Sequence, residues 1–176
     1  MTSMQKWFLA FNAVGGLLVI GSYVLGIQTH TSPTDKLWGA TSAAIRPWYT
    51  LSMLFAAAGY FAFLYHLALK VDPASVALPG GFPTFFAVFA LILIPSALWM
   101  SLTFHYAENP GAWAWFALRA VLFLVALGSV SLVACLWMIR PSPLTTSWVA
   151  AVIGAAVFAF HTTVLDAFLW PILYRG

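Results

Sequence analysis

Five side chains able to carry charge or move a proton stand inside long apolar runs of this 176-residue chain: His66, His105, Arg119, His161 and Asp166. An ionisable group in hydrocarbon is expensive to place, so each is a candidate for function. Arg119 and Asp166 are opposite in charge. Counting helical rise from the neighbouring turns puts them at similar depth, roughly 10 Å from the bilayer midplane on one side. That predicts a charge pair. With His105, Glu108 and the hydroxyls of Thr103, Tyr106, Thr162 and Thr163, the pair outlines a polar pocket open to one face. The structural alternative is an Arg119–Asp166 bridge that pins two helices, with Arg119 snorkelling toward water. His161 precedes Asp166 by five residues, a spacing that turns the two to different sides of an α-helix, where partners stand three or four apart.

Other chemistry finds little support. The acids Asp35, Asp72, Glu108 and Asp166 form no ligand-spaced cluster. There is no HExxH, no GxSxG and no phosphate loop, so no catalytic residue and no metal ligand is assigned. Haem is a natural thought for a membrane protein with four histidines. Bis-histidine ligation needs two at equal depth, yet His66, His161 and His105 step through the membrane by on the order of 10 Å each. Ligation by a single histidine stays open.

The elements that must position these residues follow from composition. Hydrophobic residues make up 63% of the chain and charged ones 6%, against about 25% charged in a soluble domain. Mean hydropathy is +0.96. Uncharged stretches recur with the length of a bilayer crossing, which takes roughly 20 helical residues. They predict spans at about residues 7–27, 47–69, 84–106, 113–139 and 146–173. Only helices or closed barrels satisfy the backbone in lipid, and these runs are too long and too uniformly apolar for barrel strands. The fold class is therefore all-α: an integral membrane bundle of five transmembrane helices in one domain, multi-pass, with the lipid bilayer as its solvent.

Short connections imply that consecutive spans are antiparallel neighbours. The longest connection, Gln28 to Ile45, contains Pro33, Asp35 and Lys36 and room for a short interfacial helix at Leu37–Ala44. Pro95 falls inside the third span and predicts a kink there. The first span is longer than a signal-peptide core and lacks a cleavage site, so it reads as a retained helix. Basic residues are scattered singly, which gives no reason to expect nucleic acid. They divide almost evenly between the two faces, so the positive-inside rule selects no orientation. The lone Cys135 reads as a small buried hydrophobe. Among nine tryptophans, Trp7, Trp48, Trp113, Trp148 and Trp170 fall near span ends, where an interfacial belt accounts for them. Trp99 and Trp137 lie deeper, at positions suited to packing or to a flat apolar ligand.

Five spans with many tryptophans and a long first loop resemble the TspO/translocator (tryptophan-rich sensory) family. Arg46-Pro47-Trp48 resembles its Lys-Pro-x-Trp segment at the second helix. Gly59-Tyr60 with Leu64-Tyr65 is similar to its second-helix Gly-Tyr and Tyr positions, Ala97-Leu98-Trp99 to its third-helix tryptophan motif, and Ser142-Pro143-Leu144 to its turn before the fifth helix. Thr162-Thr163-Val164-Leu165-Asp166 with Trp170 is similar to its fifth-helix Thr-Thr-Leu-Asn…Trp with one residue inserted. The family's paired prolines after the first-loop tryptophan are absent, as is the Asn before the third-helix tryptophan. The resemblance implies a five-helix bundle, often a homodimer, whose cavity binds porphyrins, sterols or similar flat molecules. It implies Trp48, Tyr60, Trp99 and Thr163 as cavity residues and the first loop as a lid.

The expectation is a non-enzymatic membrane protein that binds or transports a hydrophobic small molecule such as a tetrapyrrole, sterol or lipid-like compound. Its ligand-contacting residues would be Trp48, Tyr60, Trp99, His105, Arg119, His161, Thr163 and Asp166. Porphyrin or haem stands among the candidate ligands, and Arg119 or His105 would meet a carboxylate on it. Aromatic side chains with a few convergent polar groups suit such a site. Two other classes stay open: a subunit of a larger electron-transport or pigment–protein complex, and a lipid or isoprenoid enzyme using Asp166 with His161 or His105 as acid and base. Gly15, Gly16, Gly21 and Ala56–Gly59 suit the close helix packing that the subunit reading needs.

Overall fold

A capping box starts the first helix: the Gln5 amide donates to Thr2 Oγ1 and the Thr2 amide to Gln5 Oε1. From there the computed structural model, which describes residues 1–175, is helical almost throughout and has no strand among the described residues. Five helices are long and apolar enough to cross a membrane: α1 (Ser3–Thr29), α3 (Arg46–Leu69), α4 (Pro83–Glu108), α5 (Ala112–Met138) and α6 (Thr146–Arg175). A short helix, α2 (Pro33–Trp38), lies in the first connection. It begins at Pro33, whose fixed φ suits a first helical turn, and so precedes the Leu37–Ala44 stretch expected for it. Pro95 does not break α4, which continues through it.

Neighbours in space are not simply neighbours in sequence. α4 packs along α5 and α1, α5 along α6, and α6 along α3, while α1 meets α3 only over a short seam. The second span is thus fastened to the fifth. The cause is visible where they cross. A Cβ on Gly59 would meet the Gly154 backbone, with its Cα and carbonyl carbon at 2.9 Å, and a Cβ on Gly154 would meet Gly59 Cα at 2.8 Å. Ala56, Ala151 and Ala155 are buried beside them. Small residues allow this backbone-to-backbone approach, and dispersion at such range holds helices together where lipid provides no hydrophobic drive.

The interior divides into two clusters along the bundle axis. The half near the N-terminus is rich in phenylalanine, with Phe8 meeting Phe82, Phe86 and Phe89 edge-on. Tyr60 belongs to this half and donates to Asn12 Oδ1 at 2.6 Å, joining α3 to α1. The half beneath α2 is built from Tyr49, Leu118, Leu122, Ala126, Ala167, Trp170 and Tyr174.

Of the five tryptophans expected at the membrane interface, Trp7, Trp48 and Trp113 are exposed. Trp148 and Trp170 are each only 4% exposed. Their indole N–H groups are spent inside the protein, on the carbonyls of Leu136 and Leu37. Proximity to a span end did not distinguish a lipid-facing indole from one that locks two elements together. Trp137, expected deep, is 57% exposed and tilts against Trp148.

Candidate functional site

The last helix carries an irregularity that organises the site. From His161 to Leu169 it is a π-helix, flanked by α-helical Thr146–Phe160 and Trp170–Arg175. In a π-helix each bond spans five residues, so side chains five apart lie one above the other. His161 Nε2 accordingly stands 3.5 Å from Asp166 Oδ2. The expectation that these two residues face different sides, which assumed α-helical spacing, is corrected by this local geometry. The other ring nitrogen, Nδ1, is 2.9 Å from Ser52 Oγ on α3. Ser52, His161 and Asp166 thus form a continuous polar row. Tyr49, one turn before Ser52, donates to the Leu165 carbonyl at 2.7 Å, and its ring meets His161 edge-on.

The Arg119–Asp166 pair is not formed: among the described residues no ion pair within 4.0 Å joins them. Register explains why. The Ser129 and Thr162 hydroxyls meet at 2.7 Å across α5 and α6. In an antiparallel pair that contact sets Asp166 level with residue 125, six residues or about 9 Å from Arg119. The Arg119 guanidinium lies instead over the Phe123 ring, 5.4 Å from its centroid. Phe123 meets the exposed Phe168, and Arg119 is half-buried beside them. The pocket expected around it disperses likewise. His105 is exposed, Thr103 bonds back to the Trp99 carbonyl, and Glu108 lies at the membrane face, 2.7 Å from Lys36 Nζ.

Asp166 instead faces into the bundle. Protein surrounds it, yet 26% of its side-chain surface stays accessible. Asp166 and the residues grouped around it form the candidate chamber. Tyr23 of α1 and Tyr49 of α3 lie within electrostatic reach of it. Trp99 of α4 packs between Tyr23 (centroids 5.7 Å apart) and Trp170 (5.9 Å). The Trp99 indole nitrogen is buried with no hydrogen-bond partner, although buried donors are nearly always satisfied. Thr163 Oγ1 and Arg119 Nε are buried and unpartnered too.

The roof is α2 and the residues after it. Tyr174 Oη donates to the Lys36 carbonyl at 2.8 Å, Trp170 Nε1 to the Leu37 carbonyl at 3.2 Å, and the Ala40 amide to the Tyr174 carbonyl at 3.1 Å. Gly39 makes this closure feasible. It adopts φ +50°, and a Cβ there would lie 2.8 Å from the Tyr174 ring. Lys36 and His30 both reach Glu108 at the end of α4, which ties the roof to a second helix.

Of the eight residues singled out in the sequence, Trp99, His161 and Asp166 belong to this chamber. Thr163 shares their helical segment. Tyr60 belongs to the phenylalanine-rich half, Trp48 is 72% exposed, and His105 and Arg119 lie away from the chamber. Tyr23, Tyr49, Ser52 and Trp170 were missed as chamber residues. Tyr49 and Ser52 did carry a signal, being polar residues three apart on one helix. Tyr23 had none beyond its hydroxyl in an apolar run. The histidines do not suit bis-histidine haem: His66 contacts Ser147, and both ring nitrogens of His161 are engaged by Ser52 and Asp166.

Two further concavities, of about 510 and 590 Å³, lie on the outer surface, one lined by Trp7, Phe11 and Phe86 and the other by Phe61, Tyr65 and Ser147. Neither touches the chamber. No protein-family model matches the chain, and no curated protein or solved structure matches it.

Proposed function

We propose that this membrane bundle binds a hydrophobic small molecule in the chamber beneath α2, with the α2 roof as its lid. The observation that carries the reading is the buried, unpartnered Trp99 N–H in the same half of the interior as a carboxylate that keeps accessible surface. Aromatic walls with a few polar groups aimed inward are what a site for an apolar ligand requires. A buried donor without a partner is costly, and a ligand acceptor atom would remove that cost.

The resemblance to the tryptophan-rich sensory family supports the same ligand class, and tetrapyrroles, sterols and lipid-like molecules are the first to test. The residue by which Thr162–Asp166 exceeds that family's motif falls within the π-helical segment. A helix absorbs one extra residue in this way, by bonding across five positions rather than four.

The test is native mass spectrometry of protein gently extracted from its own membrane, followed by ligand titration of Trp99→Phe. One bound hydrophobic molecule per chain is expected, together with about tenfold weaker binding in Trp99→Phe at unchanged melting temperature, the loss of one hydrogen bond. Ligand-free protein arriving with stoichiometric partner chains would replace this reading with that of a complex subunit.

A second reading rests on the polar row. A hydroxyl, an imidazole and a carboxylate in sequence are the parts of an activated nucleophile, with Ser52 Oγ the group activated and His161 the base. A fluorophosphonate that labels wild-type protein and spares Ser52→Ala would favour this membrane-enzyme reading. Equal labelling of both would dismiss it.

A further inference from the structure

The chamber's electrostatics narrow its ligand, on the assumption that the chamber is a binding site as proposed above. Asp166 is the acidic side chain there, and among the described residues no lysine or arginine lies within 4.0 Å of it. The fixed cations are engaged elsewhere. Lys36 is on Glu108, and Arg46 reaches the Thr41 carbonyl and lies over Trp38. Lys70, Arg119, Arg140 and Arg175 lie over the rings of Tyr65, Phe123, Trp137 and Trp115. Lys6 is at the start of α1, at the opposite end of the bundle. The groups facing Asp166 are the Tyr23 and Tyr49 phenols and the His161 ring, which Ser52 holds from its other nitrogen.

A carboxyl enclosed by protein with no fixed cation beside it stays neutral unless a counter-charge joins it, and a cationic ligand would be that counter-charge. The walls around it favour one kind. Tyr23 and Trp99, both half-buried, present aromatic rings, whose faces attract cations most strongly where water is excluded. A carboxylate on the ligand, as on a porphyrin side chain, would instead meet a second acid and no guanidinium, since Arg119 lies over Phe123.

We infer that the chamber selects a hydrophobic monocation, an ammonium or similar onium centre on an apolar body, with Asp166 as its counter-ion and the Tyr23 and Trp99 rings beside it. The apolar body accounts for access from the bilayer, and the charge for recognition.

The experiment compares two probes of similar shape on wild-type protein in zwitterionic nanodiscs, read by tryptophan fluorescence after subtraction of empty discs. Tetraphenylphosphonium is permanently cationic, and tetraphenylmethane is neutral; neither offers an acceptor to the Trp99 N–H. The cation is expected to bind about thirty-fold more tightly, the scale of a desolvated cation–ring contact. Asp166→Asn should erase the difference and Asp166→Glu should retain most of it.

Equal binding of the two probes, or tighter binding of the neutral one, would overturn the charge selectivity while leaving the chamber as a site. A preference that survives in folded Asp166→Asn would overturn the role of Asp166. Failure of both probes to bind would overturn the chamber itself. The wild-type comparison needs no variant, so it decides the selectivity even where a substitution impairs folding.

Discussion

Replacing Gly59 by alanine adds one methyl group at the α3–α6 crossing. That methyl would meet the Gly154 Cα and carbonyl carbon at 2.9 Å, and the carbonyl oxygen closer still. Comfortable carbon contacts lie at about 3.5–4.0 Å, and backbone atoms cannot rotate aside as a side-chain tip can. The helices must therefore separate by roughly 0.6–1 Å. Overpacking of this kind costs about 1–3 kcal/mol, and a contact made wholly with backbone belongs at the upper end.

Alanine also gains helix propensity over glycine, worth ~1 kcal/mol. The expected net loss is then about 2 kcal/mol, or a melting temperature lower by roughly 4–8 °C at this chain length. Gly16→Ala is the control, since nothing lies within 4 Å of a Cβ there. It shares the propensity gain without the clash, so it should melt at or above the wild-type temperature. The assay is intrinsic-fluorescence melting of the three proteins in one detergent.

Ser52 and His161 each lie seven residues, two helical turns, from this crossing on their own helices. Gly59→Ala should therefore also disturb the His161 ring signals in nitrogen NMR. The double variant Gly59→Ala/Gly154→Ala should lose less than the sum of the single losses, because both methyl groups act at one contact. Equal melting of Gly59→Ala and Gly16→Ala would refute the claim that backbone contact at Gly59 and Gly154 holds these helices together.

Further outcomes follow from the same geometry. Because Arg119 lies over Phe123 rather than on Asp166, Arg119→Gln should leave tetraphenylphosphonium affinity within about twofold of wild type, well under 1 kcal/mol by titration; a larger gain, from a carboxylate set free, would restore the pairing with Asp166. Ser129→Ala should cost about 0.5–1.5 kcal/mol in thermal melting, at the low end because Thr162 keeps its bond to the Phe158 carbonyl. A stabilised Ser129→Ala protein would contradict the register assigned to α5 and α6. Tyr174→Phe removes the hydroxyl that holds the Lys36 carbonyl, so trypsin should cleave after Lys36 several-fold faster than in wild type. Unchanged cleavage would mean that this bond does not close the roof.

Some of this protein was legible in the residues alone. Five helices and their ends followed from uncharged stretches of bilayer length, because lipid admits only helices or closed barrels and these runs are too long for barrel strands. Trp99, His161 and Asp166 could be picked out for a related reason: polar groups in apolar runs are few, and each must have a partner or a purpose.

What the residues could not reveal is which partner each one meets. His161 and Asp166 come together only because the last helix widens into a π-helix, which α-helical spacing does not anticipate. Arg119 misses Asp166 because the Ser129–Thr162 contact sets the sliding of one helix along the other. Tyr23 enters the chamber through the packing of α1 on α4, which no short connection dictates. Hydropathy reports how deep a residue lies. Only side-chain packing decides the rotation and register of each helix, and therefore which side chains face the chamber around Asp166.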